Sequence, residues 1–510
     1  MTRALALAAA LAACQSPSRL DPIARHVADL FRVAVPADRE LAAELADAVA
    51  IKHREDLDRA LDALEPGELI EHATLTQRAL DAHPRSLDEL LRVGDDLFAY
   101  QFRPENGLGN GLGPELGAGA HPAPNLRRVH RGDFGGPDAL ACADCHSVGG
   151  DDGAGALTQN TFFRGDGDRT STADVRNPPA LLGLGPVEAL AAEMTAELAA
   201  ERTAVLALAA RSQAAATTEL SAKGLAFGAL VAQPDGALDT SRVTGVSPDL
   251  IVRPFGWKGH QAHLRGMVRE SFRVHMGVVA MIDQQAVRDG APPGELGDGP
   301  WYDVDRDGVT IELDDGMLST MVAYLSQLEV PAIAPPADPA LRMRFERGRA
   351  GFERIGCAGC HAPALPLANP HVVTGAEQAS DALAAPIDID VARDGRAPKI
   401  ERAGDRYVVR LFSDLRRHDL GPELAAPLDQ PAAGGAIPAR TWLTRPLWGL
   451  GDTAPYLHDG RAPTIEAAIL AHGGEAAPAR AAFAALPLAA RGDLLVFLSS
   501  LTRTPRVAVP

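Results

Sequence analysis

Cysteine is scarce in this 510-residue chain, which carries only five: Cys14, Cys142, Cys145, Cys357 and Cys360. So few thiols exclude a disulfide-built scaffold. Aromatic residues make up only 5%, so the cores cannot be aromatic-rich. After the first residues no apolar run reaches the roughly 18 residues of a membrane span. Positive charge is in deficit as well. The formal net charge is −18, which excludes the broad basic surface that nucleic acid requires. What is present is ordinary for globular protein: 46% hydrophobic residues, enough for sizeable cores. The length exceeds one compact domain and suits two to four.

The N-terminus reads as an address. Met1-Thr2-Arg3 precedes an apolar run from Ala4 to Ala13, then Cys14. A positive residue followed by about ten apolar ones fits an export signal and is too short to cross a bilayer. Leu11-Ala12-Ala13-Cys14 resembles a bacterial lipobox, which implies cleavage of residues 1–13 and a lipid on Cys14. Gln15, rather than aspartate, points to outer-membrane anchoring facing the periplasm. The alternative is an ordinary signal with an incidental cysteine.

The other four cysteines form two Cys-x-x-Cys-His motifs, Cys142-Ala-Asp-Cys145-His146 and Cys357-Ala-Gly-Cys360-His361. This is the signature of c-type haem attachment. Two residues between the thiols match the vinyl groups on one helical turn, and the histidine falls under the iron as proximal ligand. A four-cysteine zinc site would have to join pairs in different halves of the chain, unlike short-spaced zinc ribbons. Dithiol redox chemistry would want a βαβ setting that neither segment offers. Two haem c groups would also supply large flat surfaces for side chains to pack on, which makes the shortage of aromatics tolerable.

Helical spacing of Leu41, Leu45 and Ala48, and of Leu57, Leu61 and Leu64, predicts a helical N-terminal extension over 14–106, broken near Pro36 and Pro66. A Gly- and Pro-rich stretch from Gly107 to Pro124 follows. Residues 107–335 hold the first motif and a long Ala-rich helix around Val187–Ala215 with Glu188, Glu193 and Glu197. Pro331–Pro339 is a joint. Residues 340–510 hold the second motif between a helix over Leu341–Ile355 and one over Leu488–Leu501, with a short strand over Tyr407–Phe412. The fold expected is mainly α: two cytochrome c-like haem modules with long irregular loops, plus the helical extension.

Several segments resemble the bacterial di-haem oxidoreductases related to di-haem cytochrome c peroxidases. They are Phe134-Gly-Gly-Pro137, Asn177-Pro-Pro-Ala-Leu181, Arg253-Pro-Phe-Gly-Trp-Lys-Gly259, Ser413-Asp-Leu415 with His418-Asp-Leu-Gly421, Arg445-Pro-Leu-Trp-Gly-Leu-Gly451, and Tyr456-Leu-His-Asp-Gly-Arg461 with His472-Gly-Gly-Glu475. The resemblance implies a division of labour: the C-terminal haem takes electrons from a donor cytochrome or cupredoxin, and the N-terminal haem reacts with peroxide. It places His472 as the sixth ligand opposite His361, with His458 and His418 as alternatives that could instead bond a propionate. Arg461 is a propionate partner by the same likeness, or a solvated surface arginine. Lys258 is likewise a propionate partner or a surface charge. Trp257 falls where relatives relay electrons between haems, its alternative being a buried core aromatic.

The first haem is less regular. No histidine lies between His146 and His260, so the distal side is open or filled by His260, His263 or His275. In Phe272-Arg-Val-His275-Met-Gly277 a histidine stands where the peroxidases carry a glutamate that moves a proton between peroxide oxygens. His275 can do that proton work or can bind iron; Glu270 is the nearest carboxylate and the second candidate. Separately, Asp303-x-Asp305-x-Asp307-Gly308 with Asp314 at position twelve fits the start of an EF-hand loop and suggests calcium, the alternative being an acidic turn. The function expected is a peroxidase-like di-haem oxidoreductase. The alternatives are a non-catalytic electron carrier and, further off, a surface scaffold that has kept the fold.

Overall fold

Helix caps set the frame of the structure, a computed structural model. It describes residues 86–109, 138–163, 173–281, 312–331, 335–374, 387–394 and 397–503, with some single positions and the pair 129–130 between or beside them. The chain divides into two compact units, Met1–Thr74 and Leu75–Pro510. The first unit lies outside the described residues, and with it Cys14, the export segment and the helices expected near Leu41 and Leu57.

Helix α1 (Leu87–Ala99) starts at Ser86 with a capping box to Glu89 and buries Leu90, Val93, Leu97 and Phe98 on one stripe. That stripe packs on α4 (Asp315–Ser326). A side chain at Gly94 would come within 2.4 Å of the Tyr324 Cβ, so glycine sets the approach of the two helices. Helix α2 (Leu184–Ser212) buries most of its first half. It leads into an antiparallel sheet of Ala216–Ala222, Leu225–Ala232 and Leu238–Asp239. The two-residue turn Lys223-Gly224 has positive φ at both positions (52° and 78°), the geometry of a type I′ hairpin. The Lys223 ammonium returns to Glu193 and Glu197 of α2, so the acidic residues of that helix serve the hairpin.

Helix α3 (Leu264–Ser271) runs straight into a π-helical turn, Phe272–Met276. Arg265 on α3 and Asp315 on α4 are both only 2% exposed, joined at 2.8 Å, with Ser319 as a further acceptor for Arg265 at 2.9 Å. Removing one partner takes the ion pair away from a charge that stays buried. Asp315→Ala should therefore lower stability by about 3–5 kcal/mol in chemical denaturation. A loss near zero would mean that Arg265 finds another partner.

In the C-terminal part, Asp338 caps α5 (Pro339–Arg354) through the Leu341 amide at 2.8 Å, with Pro339 in the first turn. This helix crosses α8 (Leu488–Ser499) at Gly348, where a Cβ would lie 2.1 Å from the Asp493 carbonyl. Phe345, Phe352, Phe412 and Phe497 interlock edge to face beneath the crossing. Between the second motif and α8 come α6 (Ile465–Ala471), α7 (Ala477–Ala485) and several small sheets.

Those sheets overturn the mainly α expectation. Six occur among the described residues, three of three strands and three of two. Thr161–Phe163 lies between Val129–His130 and Asp174–Arg176; Arg406–Val409 lies between Glu401–Ala403 and Leu365–Leu367; Arg417–Asp419 pairs with Thr441–Leu443. The fold is a mixture of helices and short sheets. The largest apolar core among the described residues runs from Leu97 through α2 and α4 and on through Leu365, Val409, Leu415 and Trp448, beside a separate one around Phe345, Phe352 and Phe497. Side chains beyond the proline joint thus contribute to the same core as those before it.

Candidate haem sites

Both motifs fold as a single tight helical turn, Cys142–Asp144 and Cys357–Gly359. In each, the histidine amide returns to the first cysteine carbonyl, His146 to Cys142 at 3.1 Å and His361 to Cys357 at 3.0 Å. That turn sets two thiols and an imidazole on one side. All four thiols are free of disulfides. The first turn is braced by Asp144, whose carboxylate accepts the Leu140 and Ala141 amides at 2.9 and 3.2 Å. The second follows Gly356 in the left-handed region (φ 92°), which frees the end of α5 to turn into it.

Beside the second turn is a cavity of about 420 Å³, lined by Cys357, Cys360, His361, His472 and apolar side chains such as Leu447 and Ile469. His361 Nδ1 lies 3.0 Å from the Phe412 carbonyl, and His472 Nδ1 lies 2.7 Å from that of Ala468. A carbonyl accepts, so each Nδ1 carries the proton and each Nε2 keeps a lone pair. Burial pushes the His361 pKa down to about 4 and lowers that of His472, so both rings stay neutral, the form that binds a metal. His361 and His472 both line this cavity. Apolar walls, two thiols and two neutral imidazoles fit a haem.

The two alternatives to His472 are engaged elsewhere. His418 is held between Asp414 (2.9 Å) and Glu475 (2.8 Å), one carboxylate on each ring nitrogen. Burial disfavours its charge, but the hydrogen bonds to Asp414 and Cys360 outweigh that and raise its pKa to about 10. It is an imidazolium clamp, with no lone pair to give. His458 lies flat on Trp442, ring centroids 3.9 Å apart, and burial lowers its pKa to about 3. Trp442 also carries the Lys258 ammonium at 4.1 Å from its ring centre. Lys258 is wholly buried and donates to the carbonyls of Pro438, Ala439 and Thr441. It is therefore neither a surface charge nor a propionate partner. Arg461 is exposed and donates to Asp459 and to the Glu423 carbonyl.

At the first turn, His146 Nδ1 lies 3.2 Å from the Gly153 carbonyl, and burial pushes its pKa to about 4. Its ring stands near Phe98. His275 sits on the π turn, a local widening that recurs at functional positions. Its backbone carbonyl accepts the amides of Asp138 and Ala139, which ties the approach to Cys142 onto this turn. Its Nδ1 lies 3.3 Å from the Asp138 carboxylate and 3.4 Å from the Thr161 hydroxyl. Burial opposes its charge, but Asp138 and, more weakly, Glu270 outweigh it and raise the pKa.

The other candidates on this side are spoken for. Glu270 is held by His260 at 3.0 Å and Gln261 at 2.6 Å; burial favours its neutral form, yet these partners bring its pKa to about 2. It is a fixed carboxylate, unable to lend a proton near neutral pH. His263 pairs with Glu188 at 3.2 Å. Trp257 lines the cavity and donates its indole N–H to the Asn177 carbonyl at 2.7 Å. The aspartates Asp303, Asp305 and Asp307 lie outside the described residues, whereas Asp314 caps α4 through the Gly316 amide at 2.8 Å.

Residues 255–501 match the family described as "Di-haem oxidoreductase, putative peroxidase". This part of the chain is similar to the di-haem oxidoreductases. The matched segment takes in Trp257, His275, the second motif and His472; the first motif precedes it. The resemblance read from the motifs is borne out over this segment, while Phe134–Pro137 and Asn177–Leu181 lie before it. No curated protein matches the chain. Among solved structures, hydrazine synthase of Kuenenia stuttgartiensis, pressurized with xenon, is similar at 17% identity and a TM-score of 0.23. The likeness covers 39% of this chain and 58% of that one, so the chain spans less than two thirds of it, and at that level it carries no argument. Sequence reasoning missed one cavity residue. Arg445 stood in a quoted motif without a role, and only its position in the fold shows that it faces the cavity.

Proposed function

We propose that this is an exported c-type di-haem oxidoreductase with peroxidase-like chemistry. Cys142 and Cys145 hold one haem, with His146 beneath it. Cys357 and Cys360 hold the other, between His361 and His472. When bound, the haems supply electron storage and the reduction of peroxide. The contrast between the histidine settings carries this reading. At the second site two neutral rings are tied to carbonyls, as a six-coordinate electron-transfer centre needs. Near the first, a ring tied to a carboxylate is tuned to hold a proton. His275 takes a proton from the near peroxide oxygen and returns it to the leaving one, and Asp138 orients it. Electrons enter at the C-terminal side from a small donor protein, a cytochrome or cupredoxin. Trp257, between the cavity and the Asn177 loop, relays them. The lipobox-like Leu11–Cys14 supports a periplasm-facing lipid anchor on Cys14, and the Asp303–Asp314 spacing supports calcium.

A second reading has one observation in its favour: a ring bonded through Nδ1 to a carboxylate leaves Nε2 free, as an iron ligand does. His275 would then close the first site and make the protein a pure carrier. Absorption and EPR spectra of the haem-loaded chain, before and after peroxide, separate the two. The enzyme reading expects a high-spin component that disappears with peroxide; two low-spin signals without response would sink it. Covalent attachment is checked by haem content. Serine at Cys142 and Cys145, or at Cys357 and Cys360, should each remove one of two haems.

A further inference from the structure

Arg445, half-buried, differs from four other wholly or partly buried arginines. Arg176 pairs with Asp174, Arg253 with Asp249, Arg265 with Asp315 and Arg503 with Glu329. Arg445 makes no hydrogen bond or ion pair among the described residues; its guanidinium rests on the Trp257 ring, 5.7 Å from the centre. It lines the cavity that holds His361 and His472. Burial lowers its pKa to about 10, so it remains a cation at neutral pH. An aromatic face offsets only part of what a desolvated cation loses, and a counter-charge inside the cavity would supply the rest.

The loop beside the first motif also lies close to it in the fold. The connection is short. Trp257 beneath Arg445 donates to Asn177, and the next residues, Pro178 and Pro179, line the same cavity; the Pro178 carbonyl accepts the Gly155 amide from the loop that supports His146. One guanidinium therefore lines the cavity of the second haem while the indole it rests on is bonded to the stretch that holds the His146 loop.

The geometry points to Arg445 as a carboxylate-binding residue that takes a propionate of the C-terminal haem, its charge tuning both haem sites. A guanidinium forks onto a carboxylate through two parallel N–H bonds, which suits a planar group at a fixed edge of the cavity. A positive charge near both irons disfavours their ferric forms, so it raises both reduction potentials. This rests on the haem reading above.

The test uses the full haem-loaded chain with Arg445→Met, Arg445→Gln and Arg445→Lys. Haem content is measured first, then both midpoint potentials by spectroelectrochemistry. The neutral variants should shift both waves to lower potential, the C-terminal one further, and Arg445→Lys should hold both near the wild-type values. Should both neutral variants lose haem while Arg445→Lys keeps it, retention itself depends on the charge and carboxylate binding is supported. Two haems with unmoved waves in a neutral variant would overturn the inference, and so would a shift as large in Arg445→Lys. A wild-type protein without two haems would instead overturn the functional reading beneath it.

Discussion

Alanine in place of His275 should slow peroxide reduction by the haem-loaded protein about 10²–10⁴-fold, the usual contribution of a positioned acid–base group. No neighbour can take over. Glu270 is fixed by His260 and Gln261 with a pKa near 2, and Glu270→Gln should cost far less. The role of Asp138 gives the effect a pH signature. Its carboxylate raises the His275 pKa, and the proton-accepting form of the ring appears only as pH rises through that value. Asp138→Asn removes the charge, lowers the pKa and should move the acidic limb of the rate profile to lower pH. In Glu270→Gln the same limb should move the same way but less. If His275 were an iron ligand, its removal would open the first site, and peroxide reactivity would rise. Steady-state peroxide kinetics over a pH series read magnitude and sign together.

Long periodic elements were legible in the sequence, and short paired ones were not. Helix α2 shows in its alanines and leucines, and α5 and α8 in their proline starts and apolar stripes. The strands of the small sheets run two to four residues outside the hairpin at Lys223, too short for a period of two to register. Lys223-Gly224 carries the turn chemistry, but the partner strand is selected by the core. The two Cys-x-x-Cys-His motifs were legible because their residues are adjacent in sequence. Ligand choice was not, because it is decided by what occupies the second nitrogen. Glu475 and Asp414 disqualify His418 from opposite sides, and Trp442 holds His458 by stacking. Arginine shows the same limit. Arg461 sits in a conspicuous motif but finds Asp459 two residues away, whereas Arg445 carries no local acid and is left to face the cavity. Asp314, counted as the twelfth position of a loop, caps the helix that carries Tyr324.

Replacing His472 by alanine should convert the C-terminal haem from low spin to high spin, seen as loss of one low-spin EPR signal and recovery when imidazole is added. The argument starts from the end of α6. Thr464 caps that helix, and His472 follows its last turn with Nδ1 against the Ala468 carbonyl, so the ring has one orientation. His361 is oriented likewise by Phe412. Two rings fixed from behind change little between oxidation states, which keeps electron transfer fast; with one missing, donor-driven turnover should fall. His418 strengthens the arrangement indirectly. Its clamp joins Asp414, whose amide donates to the Cys360 carbonyl at 2.9 Å, to Glu475, three residues beyond His472. The loop bearing the sixth ligand is thereby pinned to the turn bearing the fifth. His418→Ala should leave the low-spin signal in place but broaden it, and loss of such an orienting partner typically weakens ligation 10–100-fold. His458→Ala should leave the signal sharp. If His458→Ala removes it and His472→Ala does not, the ring stacked on Trp442 is the ligand, and the cavity is read from the wrong side.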